Sequence, residues 1–115
     1  MMKLYGITNC DTVKKARAWL ADHGIPYEFV DFKKVPPTRE QITAWCAACG
    51  ASTVLNRKGT TWKKLDPATQ YSADALPGTI KLLLEYPTAI RRPVVEVDGE
   101  TIVGFDATTW EARFG

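Results

Sequence analysis

The sequence predicts an α/β fold in which a β-α-β unit and a β-β-α unit flank a helical stretch. An apolar run at residues 3–7 is followed by a helical pattern, and then by an alternating strand-like run at residues 27–32. Strand, helix and strand within about thirty residues form a β-α-β unit whose two strands are parallel. Near the C-terminus, two β-branched runs flank Asp98-Gly99, a dipeptide suited to a two-residue hairpin turn.

The helices are predicted from their apolar spacing and their caps. The first helix has one apolar face, formed by Val13, Ala16, Trp19 and Leu20. Asn9 or Asp11 is expected to cap it, because Asn and Asp are favoured N-cap residues. Thr38 with Gln41 predicts a capping box for a helix that ends at Gly50. Further helices are expected as short turns over 51–66, as an amphipathic helix over 73–86, and after Asp106.

Composition limits the classes of function. The chain has 115 residues, enough for one domain, and its net charge of +2 provides no field that argues for nucleic acid. We see no signal peptide and no apolar run near the ~18 residues that span a bilayer. We therefore expect a cytoplasmic protein with no membrane or nucleic-acid partner. Three cysteines are too few for a disulfide scaffold and should be free thiols.

Cys10 lies at the junction between the first strand and the first helix. The first turn of a helix offers unpaired N–H groups and the positive end of the helix dipole, which stabilise a thiolate. Loops at the carboxyl ends of strands also commonly carry the chemistry of α/β folds. Cys10 is therefore a candidate nucleophile, and the alternative is a small buried apolar residue.

Cys46 and Cys49 in "WCAACG" have the spacing of a redox C-x-x-C motif. A redox motif of this kind opens a helix, whereas these cysteines should end one, where the dipole disfavours a thiolate. We expect a structural role for them. A metal site is not predicted, because His23 is the only histidine and tetrahedral sites need further ligands. His23 is also about 20 Å along the helix from Cys10, too far to act as its base.

Two cationic stretches could hold an anion. One is "NRKGTTWKKL" at residues 56–65, which includes Arg57, and the other is "RRP", in which Arg92 precedes Pro93. Lysine runs are usually solvated surface, but the planar fork of arginine binds oxyanions in a bidentate way. The bond before Pro93 is a candidate cis peptide.

Four segments in register resemble the ArsC family, which includes small arsenate reductases and the Spx-type transcription regulators. They are Cys10 after the first strand, "PPTRE" at 36–40, "LNRKGT" at 55–60 and "RRPVV" at 91–95. The segments "YGITNCDTVKKAR" and "RKGTTWKKLD" are most similar to the YffB subgroup, described as glutathione-dependent thiol reductases. The resemblance covers essentially the whole chain.

The resemblance implies a thioredoxin-like fold with a four-stranded mixed sheet in a single domain, residues 1–115. The core would comprise residues 1–34 and 87–115, with a helical insertion at 35–86. It also implies that Pro93 is the cis-proline that faces the active cysteine.

The chain departs from the family pattern at three positions. Arsenate reductases of this type hold their oxyanion with three arginines, and Arg57 and Arg92 match only two, the third position falling near Ile102. A family histidine before the cysteine loop is replaced by Gly6. Spx-type regulators often carry C-x-x-C at the first site, and here the second position is Val13. Arsenate is therefore a doubtful physiological substrate, and Val13 cannot resolve a disulfide.

The function expected from this reading is monothiol reduction. Cys10 would attack a disulfide or another oxidised or small anionic substrate, and glutathione would serve as co-substrate, with glutaredoxin as a further partner and no bound cofactor. Arg57 and Arg92 would bind a carboxylate or substrate anion, and the backbone before Pro93 would pair with an extended ligand. Asn9, Asp11 and Thr12 would shape the loop. We expect a monomer.

Three alternatives stay open. The same Cys10 could reduce arsenate with only two arginines. The chain could instead be an Spx-like module that docks on RNA polymerase through Lys14, Lys15 and Arg17. It could also be a thioredoxin-like domain without activity.

Overall fold

The computed structural model describes every residue from Met1 to Gly115. Two compact units are present: the first comprises Met1–Val35 and Arg92–Gly115, and the second comprises Pro36–Arg91. The sequence places the second boundary at residue 87, whereas residues 87–91 group with the second unit. The reason is local pairing, since Leu55 bridges Ile90 and the Arg91 N–H donates to the Val54 carbonyl at 2.7 Å.

The elements follow the predicted order. They are β1 (Met2–Gly6), α1 (Asp11–Asp22), β2 (Tyr27–Asp31), α2 (Arg39–Cys49), α3 (Ala51–Val54), α4 (Thr60–Lys63), α5 (Pro67–Ser72), α6 (Leu76–Glu85), a 3₁₀ turn (Pro87–Ala89), β3 (Val94–Val97), β4 (Glu100–Val103) and α7 (Ala107–Phe114). No helix combines the length and the apolar character needed to cross a membrane.

The first unit contains a four-stranded mixed sheet of order β2-β1-β3-β4. β1 is parallel to β2 and antiparallel to β3, and β4 returns antiparallel to β3. The hairpin turn has positive φ at both Asp98 (51°) and Gly99 (76°), as a type I′ turn requires. The predicted β-α-β unit, the hairpin and the thioredoxin-like mixed sheet are thus confirmed.

The core of the first unit lies between the sheet and its two helices. Val13, Ala16 and Leu20 of α1 are fully buried, as their spacing predicts. Trp110 of α7 is 1% exposed and makes edge-to-face contacts with three aromatic rings (Trp19, Phe105 and Phe114). Burying each large apolar side chain contributes roughly 1.5–3 kcal/mol, so these two helices are held firmly against the sheet.

The start of α1 differs from the prediction. Neither Asn9 nor Asp11 is the cap, because Cys10 occupies the N-cap position with extended dihedrals (φ −113°, ψ 123°). The Cys10 carbonyl accepts the first helical hydrogen bond, from the Lys14 N–H at 2.9 Å. Asp11 instead lies in the first turn, where a carboxylate favours the positive end of the dipole.

The second unit consists of short helices. The capping box of α2 is confirmed, since the Gln41 N–H donates to the Thr38 hydroxyl and the Thr38 N–H donates to the Gln41 side chain. The expected helix over 73–86 begins only at Leu76, with Pro77 in its first turn. The Thr79 hydroxyl donates to the Ala73 carbonyl at 2.9 Å, and residues before Ala73 form the separate helix α5.

Candidate active site

The Cys10 side chain lies at the carboxyl end of β1 and the amino end of α1. β1 ends at Gly6, an exposed turn follows at Thr8 and Asn9, and half-buried Cys10 then caps the helix. The Cys10 side chain itself accepts no capping hydrogen bond. The N–H groups and dipole of the first turn can therefore stabilise negative charge on the sulfur, which is the requirement for a nucleophilic thiolate.

Gly6 and Val13 explain how closely α1 approaches β1. Val13 is 0% exposed, and a Cβ added at Gly6 would lie 2.8 Å from its nearer methyl carbon. A glycine at position 6 therefore lets the helix pack directly on the strand end. Val13 lies three residues after Cys10, at the position where a C-x-x-C motif has its second cysteine. Here that position carries a side chain of the hydrophobic core.

Pro93 lies at the same end of the sheet as the Cys10 loop. The antiparallel register pairs Tyr5 with Val94, so the residue after Tyr5 and the residue before Val94 continue to the same edge. The Arg92–Pro93 peptide bond is cis, Pro93 is buried and Arg92 is half-buried. The Gly104 N–H donates to the Pro93 carbonyl at 2.8 Å, which fixes the proline against the end of β4.

The remaining predicted site residues are exposed. Asn9, Asp11 and Thr12 surround Cys10 along the chain and face solvent. Arg57 belongs to the second unit, where its guanidinium carbon lies 4.9 Å from the centre of the Trp62 ring. The first unit thus brings together the Cys10 loop, Arg92 and Pro93, and Arg57 is anchored within its own unit.

Cys46 and Cys49 lie in the last turn of α2, as predicted, and none of the three cysteines is in a disulfide. Burial raises the pKa of the Cys46 thiol, and the neighbouring Cys49 raises it further. Burial also raises the pKa of Cys49. Both groups are therefore neutral thiols near pH 7, which suits a structural role better than nucleophilic attack.

His23 is engaged at the far end of α1. Its ring stacks on Trp19 with centroids 3.7 Å apart, and its Nε2 lies 3.1 Å from a Glu111 carboxylate oxygen. These contacts tie the end of α1 to α7. No group of three or more His, Cys, Asp or Glu side chains is arranged to hold a metal ion.

Sequence reasoning misses Gly104. This residue has φ of 87°, in the region that favours glycine, and supplies the N–H that holds the Pro93 carbonyl. A glycine directly after the second strand of a hairpin, when proline precedes the first strand, is the signal that could have identified it.

A half-buried thiol at a helix amino terminus, at the same end of the sheet as a buried cis-proline, defines a thioredoxin-like thiol protein. The chain belongs to the ArsC family, whose profile matches residues 5–113. It has the arsenate reductase-like thiol reductase fold of that family.

Similarities to individual proteins are consistent with the family assignment. The chain is similar to a solved structure named YFFB protein, with 46% identity, full coverage of both chains and a TM-score of 0.94. It is 41% identical to an arsenate reductase (ArsC) related protein from Brucella melitensis, covering 98% of this chain and 93% of that one, with a TM-score of 0.78. An uncharacterized protein from Haemophilus influenzae is 37% identical over 114 residues, 99% of each chain.

A more distant relative is the global transcriptional regulator Spx of Listeria innocua. It is 27% identical over 110 residues, which cover 92% of this chain and 81% of the regulator.

Proposed function

We propose that this protein is a glutathione-dependent thiol–disulfide reductase that works through one sulfur. The Cys10 thiolate attacks one sulfur of a substrate disulfide, the S–S bond breaks, and the other half leaves as a thiolate. Glutathione thiolate then attacks the resulting mixed disulfide, reducing Cys10 and carrying away the other half. When Cys10 carries glutathione, the product is oxidised glutathione.

The observation that carries this proposal is the pairing of Cys10 with buried Val13. Cys10 caps α1, and it is the only cysteine among the residues of the first unit. Val13 is completely buried at the position of a resolving cysteine. An external thiol is therefore required to finish the reaction, and glutathione is the abundant small thiol of a reducing cytoplasm.

The other site residues have supporting roles in this proposal. Arg92, next to Pro93, and Arg57 bind a carboxylate or another anionic group of the ligand through charge-assisted hydrogen bonds. The backbone before Pro93 pairs with an extended peptide-like ligand. Asn9, Asp11 and Thr12 shape the loop around the sulfur, and glutaredoxin is a further thiol partner.

The test is adduct formation in a Cys46→Ala/Cys49→Ala background, where Cys10 is the only thiol. The protein is mixed with oxidised glutathione at pH 7 and its mass is recorded over time. We expect one glutathionyl group on Cys10, removed again by excess reduced glutathione. A protein that gains no glutathionyl group, while Cys10 alkylates normally after unfolding, would contradict the proposal and favour an inactive thioredoxin-like domain.

Arsenate reduction is a second candidate, favoured by the 41% identity to the arsenate reductase related protein. The third anion-binding position implied by the family resemblance falls near Ile102, where the chain has no arginine. Loss of one charge-assisted hydrogen bond costs ~1.5–3 kcal/mol, or roughly ten- to a hundred-fold in affinity. We therefore expect slow arsenate turnover with glutathione and glutaredoxin, improved by Ile102→Arg if the candidate is right.

A non-enzymatic role on RNA polymerase is a third candidate, favoured by the similarity to Spx. Lys14 and Lys15 are exposed on α1, as docking would require, whereas Arg17 is half-buried. A pull-down with purified polymerase tests this role, which requires that Lys14→Glu abolish capture. We expect no capture.

A further inference from the structure

A cavity of about 310 Å³ in the first unit adjoins the loop that carries Cys10. This volume is at the lower end of ligand pockets and suits a group the size of one amino acid. The groups that line it and could recognise a ligand are Thr8, Arg17, Glu28, Phe29, Asp31 and Lys34. Thr8 is only two residues before Cys10, so the cavity reaches the loop that carries the reacting sulfur.

The Arg17 guanidinium is held in place within this cavity. Its Nε donates to the Tyr27 hydroxyl at 2.9 Å, and its central carbon lies 4.0 Å from the centre of the Phe29 ring. Arg17 is not part of the ion pairs His23–Glu111 and Arg113–Glu100, and no carboxylate is paired with its guanidinium. A guanidinium fixed in this way by one nitrogen and one face leaves its terminal amino groups to bind a carboxylate.

The cavity carries both signs of charge. Lys34 adds a second cation, and Glu28 and Asp31 supply two carboxylates. The Lys33 N–H donates to Asp31 Oδ1 at 2.9 Å and orients that carboxyl group. Two carboxylates would repel a multivalent anion such as phosphate, whereas a zwitterion places its own carboxylate on Arg17 and its ammonium on Asp31.

The position of Arg17 relative to Cys10 fits one particular zwitterion. Cys10 is the N-cap of α1 and Arg17 lies seven residues further along the chain, a rise of ~10.5 Å along the helix axis. The contacts with Tyr27 and Phe29 place the Arg17 guanidinium beside β2, in the same cavity that Thr8 lines. In glutathione, seven covalent bonds separate the sulfur from the α-carbon of the γ-glutamyl group, a reach of roughly 9 Å.

We propose that this cavity is the subsite for the γ-glutamyl α-amino-acid group of a glutathione joined to Cys10. The Arg17 guanidinium and Lys34 bind its carboxylate, and Asp31 with Glu28 faces its ammonium group. This inference rests on the proposed function and adds the part of glutathione that the protein recognises. It predicts selection for the γ-glutamyl group over thiols that merely carry a cysteine.

The experiment compares two disulfides in the Cys46→Ala/Cys49→Ala background. Cys10 reacts either with oxidised glutathione or with the disulfide of cysteinylglycine, which lacks the γ-glutamyl group. Each rate of adduct formation is divided by the rate of the same variant with bis(2-hydroxyethyl) disulfide, which corrects for any change in the thiol itself. We expect oxidised glutathione to be preferred by about ten-fold or more, the worth of a charge-assisted contact.

Arg17→Gln should bring this preference close to one, and Arg17→Lys should restore only part of it because the bidentate fork is lost. Lys15→Gln, an exposed cation on the same helix, should keep the full preference. Acetylating both amino groups of oxidised glutathione should also reduce the preference, since the ammonium group is then removed.

The outcomes separate the subsite from the function. Equal normalised rates for the two disulfides, or an equal loss in Lys15→Gln and Arg17→Gln, would overturn the subsite while leaving a reductase. If no disulfide forms an adduct with Cys10, the proposed function itself fails, and the subsite fails with it.

Discussion

Cys10 and the pair Cys46 and Cys49 lie at opposite ends of their helices. Cys10 precedes the first turn of α1, whereas the other two lie in the last turn of α2. At the amino end, unpaired N–H groups and the dipole favour a thiolate, and at the carboxyl end the dipole opposes one. Burial adds to the difference, because it raises the pKa of both Cys46 and Cys49.

On the proposed function, the helix end decides the reactivity of a cysteine more than the cysteine spacing does. "WCAACG" has the spacing of a redox motif, yet its sulfurs lie where neutral thiols are favoured. The Cys10 site lacks this spacing, because Val13 stands where the second cysteine would be. It does have the amino end of a helix, a buried cis-proline and a half-buried cysteine.

The largest effect is expected from Cys10→Ser. Removing the only thiol at a helix amino terminus should lower the rate of adduct formation with oxidised glutathione at pH 7 by at least roughly a hundred-fold. Cys46→Ala/Cys49→Ala should keep the rate of the unmodified protein. Mass spectrometry of the intact proteins measures the rate in each variant. A glutathionyl group on Cys46 or Cys49 at a comparable rate would contradict the assignment of Cys10 as the reactive thiol.

Val13→Cys should give the Cys10 site the C-x-x-C spacing of a redox motif. The new thiol can attack the mixed disulfide at Cys10, so we expect released glutathione and an internal disulfide in place of the stable adduct. Val13→Ala is the control, since it also removes buried methyl groups, at about 1–2.5 kcal/mol, but supplies no thiol. An adduct equally long-lived in both variants would show that position 13 cannot reach the Cys10 sulfur.

The three cysteines should be alkylated in an order set by their positions at the helix ends. In the unmodified protein at pH 7, a brief exposure to iodoacetamide should label Cys10 before Cys49, and Cys49 before Cys46, which is the more buried of the two. The raised pKa values of Cys46 and Cys49 leave little thiolate at this pH, and their labelling should accelerate only in alkaline solution. Peptide mapping measures the order, and in urea the three rates should converge. Preferential labelling of Cys46 in the folded protein would be inconsistent with its burial.

Gly6→Ala tests the close packing beneath Cys10. The added methyl group would lie 2.8 Å from a Val13 methyl carbon, so the strand or the helix must shift. Overpacking of this kind typically costs 1–3 kcal/mol, which urea unfolding would measure. Gly6→Ala/Val13→Ala should recover part of that loss, and additive effects of the two substitutions would argue against direct contact.

Much of the fold follows from local patterns in the sequence. The buried face of α1, the capping box of α2 and the Asp98-Gly99 turn each arise within a few residues, so periodicity and cap chemistry are sufficient to predict them. Apolar spacing does not predict the late start of α6, which coincides with Pro77 in the first turn of the helix.

Sequence patterns predict a residue of the candidate site only where its role follows from its position relative to a strand or helix. Cys10 could be identified from the strand-to-helix junction, although its own role as N-cap could not, because cap preferences favour Asn and Asp. Gly104 acts through a hydrogen bond to Pro93, eleven residues earlier, and Arg17 through the orientation imposed by Tyr27 and Phe29. Such roles depend on strand register and packing, which single-sequence patterns do not contain.

The smallest expected effect is a pH dependence of stability that comes from Cys46 and Cys49. Their folded-state pKa values are raised from an ordinary value of 9.0, so the unfolded chain loses these protons at lower pH than the folded chain. Where the unfolded state binds fewer protons, the free energy of unfolding falls as pH increases. This contribution is therefore complete below the ordinary pKa and declines as pH rises from there through the folded-state values.

Urea unfolding between neutral and alkaline pH measures this decline. Cys46→Ala/Cys49→Ala should show a shallower alkaline slope than the unmodified protein, whatever the offset caused by the smaller side chains. Equal slopes in the unmodified protein and in Cys46→Ala/Cys49→Ala would mean that these thiols titrate alike in folded and unfolded chains, and the contrast between the two helix ends would then rest on reactivity alone.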